Sequence, residues 1–127
     1  MLSESDKNLV EEAKKFFGKR EVKGGTIGHA GCALISESDQ IFTGSSLHLY
    51  CGIGFCGEHT AISQMLSQTK DTFVKTIVSW GKDGILPPCG RCRELLNLID
   101  ERNLNTEVII SNDKKVKLSD LLPYAWK

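Results

Sequence analysis

The chain has 127 residues, of which 40% are hydrophobic and 25% charged, and this size and composition indicate one globular domain over residues 1–127. Sixteen basic and sixteen acidic residues give zero formal charge, which argues against tight polynucleotide binding because such binding needs a basic face. No apolar stretch approaches the roughly 20 residues that span a bilayer, and the polar start MLSESDKNLVEE is unlike a signal peptide. We therefore expect neither a nucleic-acid-binding nor a membrane protein.

The first third of the chain predicts one helix and a hairpin. Apolar residues at helical spacing predict an amphipathic helix that begins after Ser3 or Ser5 and ends at Gly18. A small, apolar run over Ile27–Ile35 predicts a buried strand. A polar turn follows, and Gln40–Tyr50 is predicted to be the hairpin partner of that strand.

The rest of the chain alternates helices with strands. The predicted elements are a helix over Thr60–Gln68, a strand over Phe73–Trp80, a helix over Arg91–Arg102, short strands at Glu107–Ser111 and Val116, and a helical turn from Ser119 that Pro123 stops. The segment GKDGILPPCG is predicted to be a loop because its proline pair delays the next helix. This order predicts an α/β fold, a layered α-β-α domain with a mixed sheet of about five strands flanked by helices.

Two short motifs carry the chemistry. Cys56-Gly-Glu58 lies upstream of Pro88-Cys89-Gly-Arg-Cys92, which supplies three candidate zinc thiolates and one carboxylate beside the metal rather than on it. Zinc held by three protein ligands keeps a fourth position for water and lowers the pKa of that water from about 15.7 toward 7. The order Cys-x-Glu followed by Pro-Cys-x-x-Cys is the pattern of the zinc deaminases, in which the Glu is the general acid and base. We therefore expect Glu58 to be catalytic and Zn²⁺ to be the cofactor.

The predicted helices explain how three thiolates are tolerated on one metal. Cys56 and Glu58 should lie at the start of one helix, and Cys89 and Cys92 in the first turn of another. The positive ends of both helices would offset thiolate charge and lower the pKa values of the thiols. Arg91, between the second pair of cysteines, is the candidate side chain to donate hydrogen bonds to the sulfur atoms.

The cysteine count leaves two alternatives open. Five cysteines, an odd number, favour a reducing cytoplasm and metal binding over a disulfide framework. A non-catalytic module would hold zinc with four cysteines, Cys51 joining the other three. A redox Cys-x-x-Cys protein is a weaker alternative because it would give Cys56-Gly-Glu58 no purpose.

At these residues the chain resembles the small, zinc-dependent cytidine deaminase family over nearly its whole length. GCALISESDQIFTG resembles the first hairpin of that family, FCGEHTAI its first zinc motif, PPCGRCREL its second, and LLP its closing helix. IFTG, GILPPCGRCRELL and LLPYAW are closest in pattern to the blasticidin S deaminase branch. The resemblance implies that Cys56, Cys89 and Cys92 bind zinc and that Glu58 shuttles protons. It also implies a homotetramer whose active sites are shared between neighbouring chains.

The function implied is hydrolytic removal of the 4-amino group of a free cytosine nucleoside, such as cytidine or deoxycytidine, or of an analogue such as blasticidin S. That activity would place the protein in pyrimidine salvage, with a small-molecule nucleoside as its partner. A deaminase acting on a base within RNA or DNA is the alternative from the same chemical class. Such enzymes usually carry His as the first ligand, so Cys56 and the zero net charge count against it.

The departures from the family lie around the sugar. Where cytidine deaminases present an Asn, a Glu and a Phe, this chain has Ser46, His48 and Gly28. Ser46 and His48 are therefore candidate substrate contacts of altered chemistry. His59 stands where many members have an Arg, and this leaves Arg91 to offset thiolate charge. Tyr124 and Trp126 are candidates to stack on a base or to close a subunit interface.

Overall fold

The computed structural model describes residues 1–127 and begins with helix α1 over Glu4–Lys14. Ser3 is its N-cap: the Ser3 hydroxyl accepts the N–H of Asp6 at 3.1 Å, and the Asp6 carboxylate accepts the N–H of Ser3 at 3.0 Å. The helix ends at Lys14, so the prediction that it continues to Gly18 is wrong. Beyond it, the backbone N–H of Phe16 bonds three residues back to Ala13 and tightens the chain into a turn.

Eight strands form one mixed sheet. They are β1 (Arg20–Val22), β2 (Gly25–Ser36), β3 (Ile41–Leu49), β4 (Gly54–Phe55), β5 (Val74–Gly81), β6 (Gly84–Leu86), β7 (Glu107–Ser111) and β8 (Lys114–Lys117). Their order in space is β4-β3-β2-β5-β7-β8, with β1 paired to β2 and β6 paired to β5. Strands β5 and β7 are parallel, and the other pairs are antiparallel.

The predicted strands are confirmed as β2, β3, β5, β7 and β8. The sequence pattern missed β1, β4 and β6, which have only two or three residues each. A two- or three-residue strand is too short to show alternation. Strand β6 lies inside the segment predicted to be a loop, so that prediction is wrong for Gly84–Leu86, whose backbone pairs with Ser79–Gly81 of β5.

Three further helices follow: α2 over Gly57–Gln68, α3 over Gly90–Ile99 and the short α4 over Leu118–Leu121. The prediction that α3 runs to Arg102 is wrong by three residues. The Asp100 carboxylate accepts the backbone N–H of Arg102 at 2.8 Å and starts a 3-10 turn over Glu101–Asn105. None of the helices combines the length and apolar character that crossing a bilayer demands.

The sheet lies between two apolar cores, which confirms the layered α/β prediction. Neighbouring residues of β2 point to opposite faces: Leu34 packs with Ile62 and Met65 of α2, whereas Ala33 packs with Leu9 of α1. Residues Cys32, Ala33 and Leu34 are all fully buried, as expected of a central strand covered on both sides. Helix α2 therefore lies on one face of the sheet and α1 on the other.

A β-bulge interrupts the pairing of β2 with β3. Ile27 pairs with Leu47 and Gly31 pairs with Ser45, so residues 28–30 of β2 lie opposite Ser46 alone. Gly28 has a φ of +89°, and a Cβ there would lie 2.3 Å from the carbonyl oxygen of Gly18. A side chain such as the family's Phe therefore does not fit this backbone at position 28.

We expect Gly28→Ala to lower the free energy of unfolding by about 2–4 kcal/mol, since it adds left-handed strain to a backbone clash. Gly52→Ala is the matched control because Gly52 has a φ of +68° but open space around its Cβ. The control should lower the free energy of unfolding by about 1 kcal/mol, because only the strain of the left-handed backbone conformation is added. Urea unfolding measures both, and equal costs would show that the contact with Gly18 does not constrain the bulge.

Candidate functional site

Three cysteine side chains meet at the ends of two helices. Cys56 is the N-cap of α2, Cys89 is the N-cap of α3, and Cys92 lies in the first turn of α3. The Sγ atoms of Cys56 and Cys89 are 3.3 Å apart, those of Cys89 and Cys92 are 3.4 Å apart, and all three lie within 4.8 Å of one another. These distances are far longer than the roughly 2.05 Å of a disulfide bond. We call these three thiols the sulfur cluster.

The sulfur cluster fits a zinc ion. Tetrahedral zinc with Zn–S bonds of about 2.3 Å places pairs of sulfur atoms roughly 3.8 Å apart, so the thiols need to separate by only a few tenths of an ångström. Thiolate sulfur is also a donor that zinc prefers. The three predicted ligands are therefore brought together as a candidate metal site.

The thiols do not ionise equally. Burial opposes ionisation of Cys89, but the backbone N–H of Cys92 and the thiols of Cys56 and Cys92 outweigh it, so its pKa lies below the ordinary value. Burial, together with the hydrogen bond to Cys89, raises the pKa of Cys56 to about 11. Burial and the charge of Glu58 raise the pKa of Cys92 well above its usual range. A divalent cation is the partner that would let all three thiolates coexist.

Glu58 lies beside the sulfur cluster, in the first turn of α2, and is only 4% exposed. Burial raises the pKa of its carboxyl group, while its own backbone N–H and the hydroxyl of Ser79 act in the opposite direction. A carboxyl group with a raised pKa holds a proton more readily than a free one, which is what transfer of a proton between water and a substrate requires. The geometry thus suits the predicted proton shuttle.

A cavity of about 250 Å³ opens beside Glu58, Cys56 and Cys89. Its volume is close to the lower limit of roughly 300 Å³ for small-molecule sites. Glu58 is buried within it, whereas His29 and His48 are exposed and lie toward its mouth. The cavity therefore suits one small molecule that reaches the carboxylate from the solvent side.

Both predicted sugar-side residues line this cavity. Ser46 is 2% exposed, and its hydroxyl accepts the backbone N–H of Ala30 at 3.0 Å, which leaves its own hydrogen to donate. His48 is exposed on β3 and lines the same cavity. Their part in substrate binding stays a prediction.

The remaining predicted residues lie elsewhere. Tyr124 and Trp126 are 95% and 70% exposed and do not line the cavity of their own chain. Arg91 is also exposed, and its side chain donates no hydrogen bond to a cysteine; its charge instead lowers the pKa of His59, after the larger effect of burial. Cys51 is exposed in a 3-10 turn with a φ of 62° and is not part of the sulfur cluster.

Sequence reasoning missed three features of the site. His29 lines the cavity, although no motif in the sequence includes it. Ser79 of β5 lies beside Glu58 and lowers its pKa. His59 stacks on Phe55 with ring centroids 5.7 Å apart, and its buried Nε2 has no hydrogen-bond partner. The sequence had marked His59 only as the residue after Glu58 that stands where the resemblance implies an Arg.

Comparisons with known proteins agree with this arrangement. Crystal structures of cytidine deaminases from Mycobacterium tuberculosis, Bacillus anthracis and Burkholderia pseudomallei superpose with TM-scores of 0.73, 0.72 and 0.69 at 20%, 19% and 22% identity. They cover 95%, 94% and 98% of this chain, which covers 93%, 88% and 100% of theirs.

Similarity in sequence is more limited. A Dictyostelium discoideum protein described as a probable cytidine deaminase is 33% identical over 66 residues. That match spans 50% of this chain and 45% of the relative. No family model matches the chain. The chain therefore has the cytidine deaminase fold, with three cysteines gathered where they can hold a metal ion beside a buried glutamate.

Proposed function

We propose that this protein is a zinc-dependent hydrolase that converts the 4-amino group of a free cytosine nucleoside to a 4-oxo group and releases ammonia. Cytidine, deoxycytidine and analogues such as blasticidin S are the substrates proposed. The observation that carries the proposal is that a buried carboxylate and three convergent thiols open into one small cavity. The cytidine deaminase fold supports it further.

The residues divide the chemistry between them. Zinc held by Cys56, Cys89 and Cys92 would supply a Lewis acid that lowers the pKa of water toward neutrality. Glu58 takes a proton from the attacking water and passes it to the ring nitrogen next to the amino-bearing carbon. The Glu58 carboxylate then takes the proton of the hydroxyl group newly bonded to that carbon and delivers it to the amino group. The C–N bond breaks, ammonia leaves, and the carbon keeps the oxygen as a 4-oxo group. In sum, one water and one 4-amino group become one 4-oxo group and one ammonia.

The positive ends of α2 and α3 would offset the negative charge of the three thiolates. Three thiolates on Zn²⁺ leave a net charge of −1, which weakens the metal as a Lewis acid. Cys56 and Cys89 are both N-caps, so the sulfur cluster lies at the positive ends of both helices. Arg91, one residue before Cys92, adds a positive charge nearby and is proposed to share this role.

Two observations weigh against the other functions considered. A structural four-cysteine module needs Cys51, which is exposed and lies outside the sulfur cluster. A deaminase of RNA or DNA needs a basic surface, but the chain has zero net charge and a cavity of only about 250 Å³. A free nucleoside in the cytoplasm, as in pyrimidine salvage, is therefore the substrate class that we propose.

We also propose a homotetramer in which chains share active sites. Tyr124 and Trp126 are exposed at the end of the chain, and Ile53 and Phe55 are exposed at and just before β4. Large apolar side chains left in solvent are typical of surfaces that another chain covers. Light scattering gives the mass in solution, and a monomer at micromolar concentration would contradict this assembly.

An ammonia-release screen of the zinc-loaded protein tests the proposed function. The compounds are cytidine, deoxycytidine, cytosine, blasticidin S and adenosine as the purine control. We expect turnover of at least one cytosine nucleoside and none of adenosine. A protein that holds zinc but releases no ammonia from any of the cytosine compounds would contradict the proposal.

A further inference from the structure

Two histidines form a pair at the mouth of the cavity. The imidazole rings of His29 and His48 have centroids 4.4 Å apart and an interplanar angle of 59°. They come from neighbouring strands, and the bulge at residues 28–30 of β2 brings His29 beside His48. Both rings line the cavity that contains Glu58. We call them the histidine pair.

The histidine pair has hydrogen-bond donors that the chain does not use. Nε2 of His29 lies 2.7 Å from the hydroxyl of Thr26, and when that hydroxyl donates to Nε2 the ring carries its hydrogen on Nδ1. The ring of His48 makes no hydrogen bond within the chain, so both of its nitrogens are free. The hydroxyl hydrogen of Ser46 is a third donor in the same cavity.

The charges around the pair favour an anion. Glu58 is the only carboxylate in the cavity lining, and it is buried, whereas the histidine pair is exposed. Loss of solvent, and after it the repulsion from the positive charges of His48 and Lys19, lower the pKa of His29. A negative group between them would reverse this repulsion and form charge-assisted hydrogen bonds.

We propose that the histidine pair, with Ser46, binds an anionic substituent, a carboxylate or a phosphate, on the sugar side of the substrate. This inference rests on the proposed function, because it assumes that the cytosine ring lies against Glu58. One cavity contains both groups, so a single small molecule can contact Glu58 at one end and the histidine pair at the other. The preferred substrate is then an acidic cytosine nucleoside rather than a neutral one.

Calorimetric binding to the zinc-loaded Glu58→Gln variant tests this inference without turnover. The ligands are cytidine, cytidine 5′-monophosphate and the cytidine analogue whose 5′ carbon is a carboxylate. We expect at least one anionic ligand to bind at least about tenfold more tightly than cytidine, since hydrogen bonds to charged groups are the stronger ones. Comparison of the phosphate with the carboxylate shows which anion the pair prefers.

Second-site variants show whether the histidine pair is responsible. Adding His48→Gln or His29→Gln should reduce the anionic preference to about twofold or less, with circular dichroism confirming the fold. Lys70→Gln is the matched control: Lys70 is exposed just beyond the end of α2 opposite Cys56, and its removal should leave the preference intact.

Three outcomes would overturn the inference. Equal binding of all three ligands, or tighter binding of cytidine, would show that the cavity does not select an anion. A preference that survives both histidine substitutions would assign it to other residues. Binding of none of them, together with no ammonia release by the wild-type protein, would defeat the proposed function as well, whereas normal deamination of neutral cytidine would leave that function standing.

Discussion

Replacing Glu58 by glutamine is expected to lower turnover by at least about a hundredfold while the protein stays folded and keeps its zinc. Glutamine has the shape of glutamate and fills the same buried position, but it cannot accept a proton from water. The loss should therefore fall on kcat rather than on nucleoside binding. Ammonia release and zinc content measured on the same sample provide the test.

The thermal stability of Glu58→Gln shows whether a loss of turnover comes from the missing carboxylate or from unfolding. Burial raises the pKa of Glu58 in the folded, metal-free chain above its unfolded value. The stabilising effect of this shift is fully present below the unfolded pKa of about 4.3 and is lost as pH rises through the folded value. Above the folded pKa the ionised carboxylate destabilises the fold, so at such a pH metal-free Glu58→Gln should have a Tm equal to or above that of the parent.

Glu94→Gln provides the matched control for charge. Glu94 lies in α3, outside the cavity lining, and its carboxylate accepts a hydrogen bond from Asn97 at 3.2 Å. Removing its charge should leave turnover within about twofold of the parent, as expected for a group that contacts no reacting atom. Unchanged turnover in Glu58→Gln would remove that residue from the mechanism.

The meeting of the three cysteines could be predicted from the sequence because its determinants are local. Cys56 precedes a run of apolar residues at helical spacing, and a proline pair precedes Cys89, so both cysteines were expected at helix starts. Both are indeed N-caps. The order of the two motifs, Cys-x-Glu before Pro-Cys-x-x-Cys, then led to the expectation that the two helix starts lie close together.

The place of His29 at the mouth of the cavity, beside the predicted His48, could not be predicted because it depends on a tertiary irregularity. In a regular strand every second side chain points to the same face of the sheet, and a sequence-based prediction assumes this alternation. It fails at residues 28–30 of β2, which lie opposite Ser46 alone. At this bulge Gly18 approaches Gly28 too closely for a side chain at position 28. No residue pattern around His29 predicts the contact between Gly18 and Gly28. The position of Ser79 beside Glu58 could not be predicted either, because Ser79 belongs to β5 and Glu58 to α2.

Cys89→Ala is expected to abolish zinc binding, because Cys89 lies between the other two sulfur atoms at 3.3 and 3.4 Å. Zinc content should fall from about one per chain to near zero. The variant should also lose the stabilisation that bound zinc gives, about 3 kcal/mol when free zinc is 100-fold above its Kd. Elemental analysis and thermal unfolding with and without a chelator measure the two effects.

Cys51→Ala decides between a catalytic and a closed metal site, since it removes an exposed thiol five residues before Cys56. If the three-thiolate site is correct, this variant should keep stoichiometric zinc and its chelator-sensitive Tm, and the cobalt-substituted protein should show three thiolates with an oxygen ligand. Loss of zinc in Cys51→Ala, or a four-thiolate cobalt spectrum, would mean that no position remains for water. Stoichiometric zinc in Cys89→Ala would instead show that the ligand set is wrong, because two thiolates of this cluster do not make a zinc site.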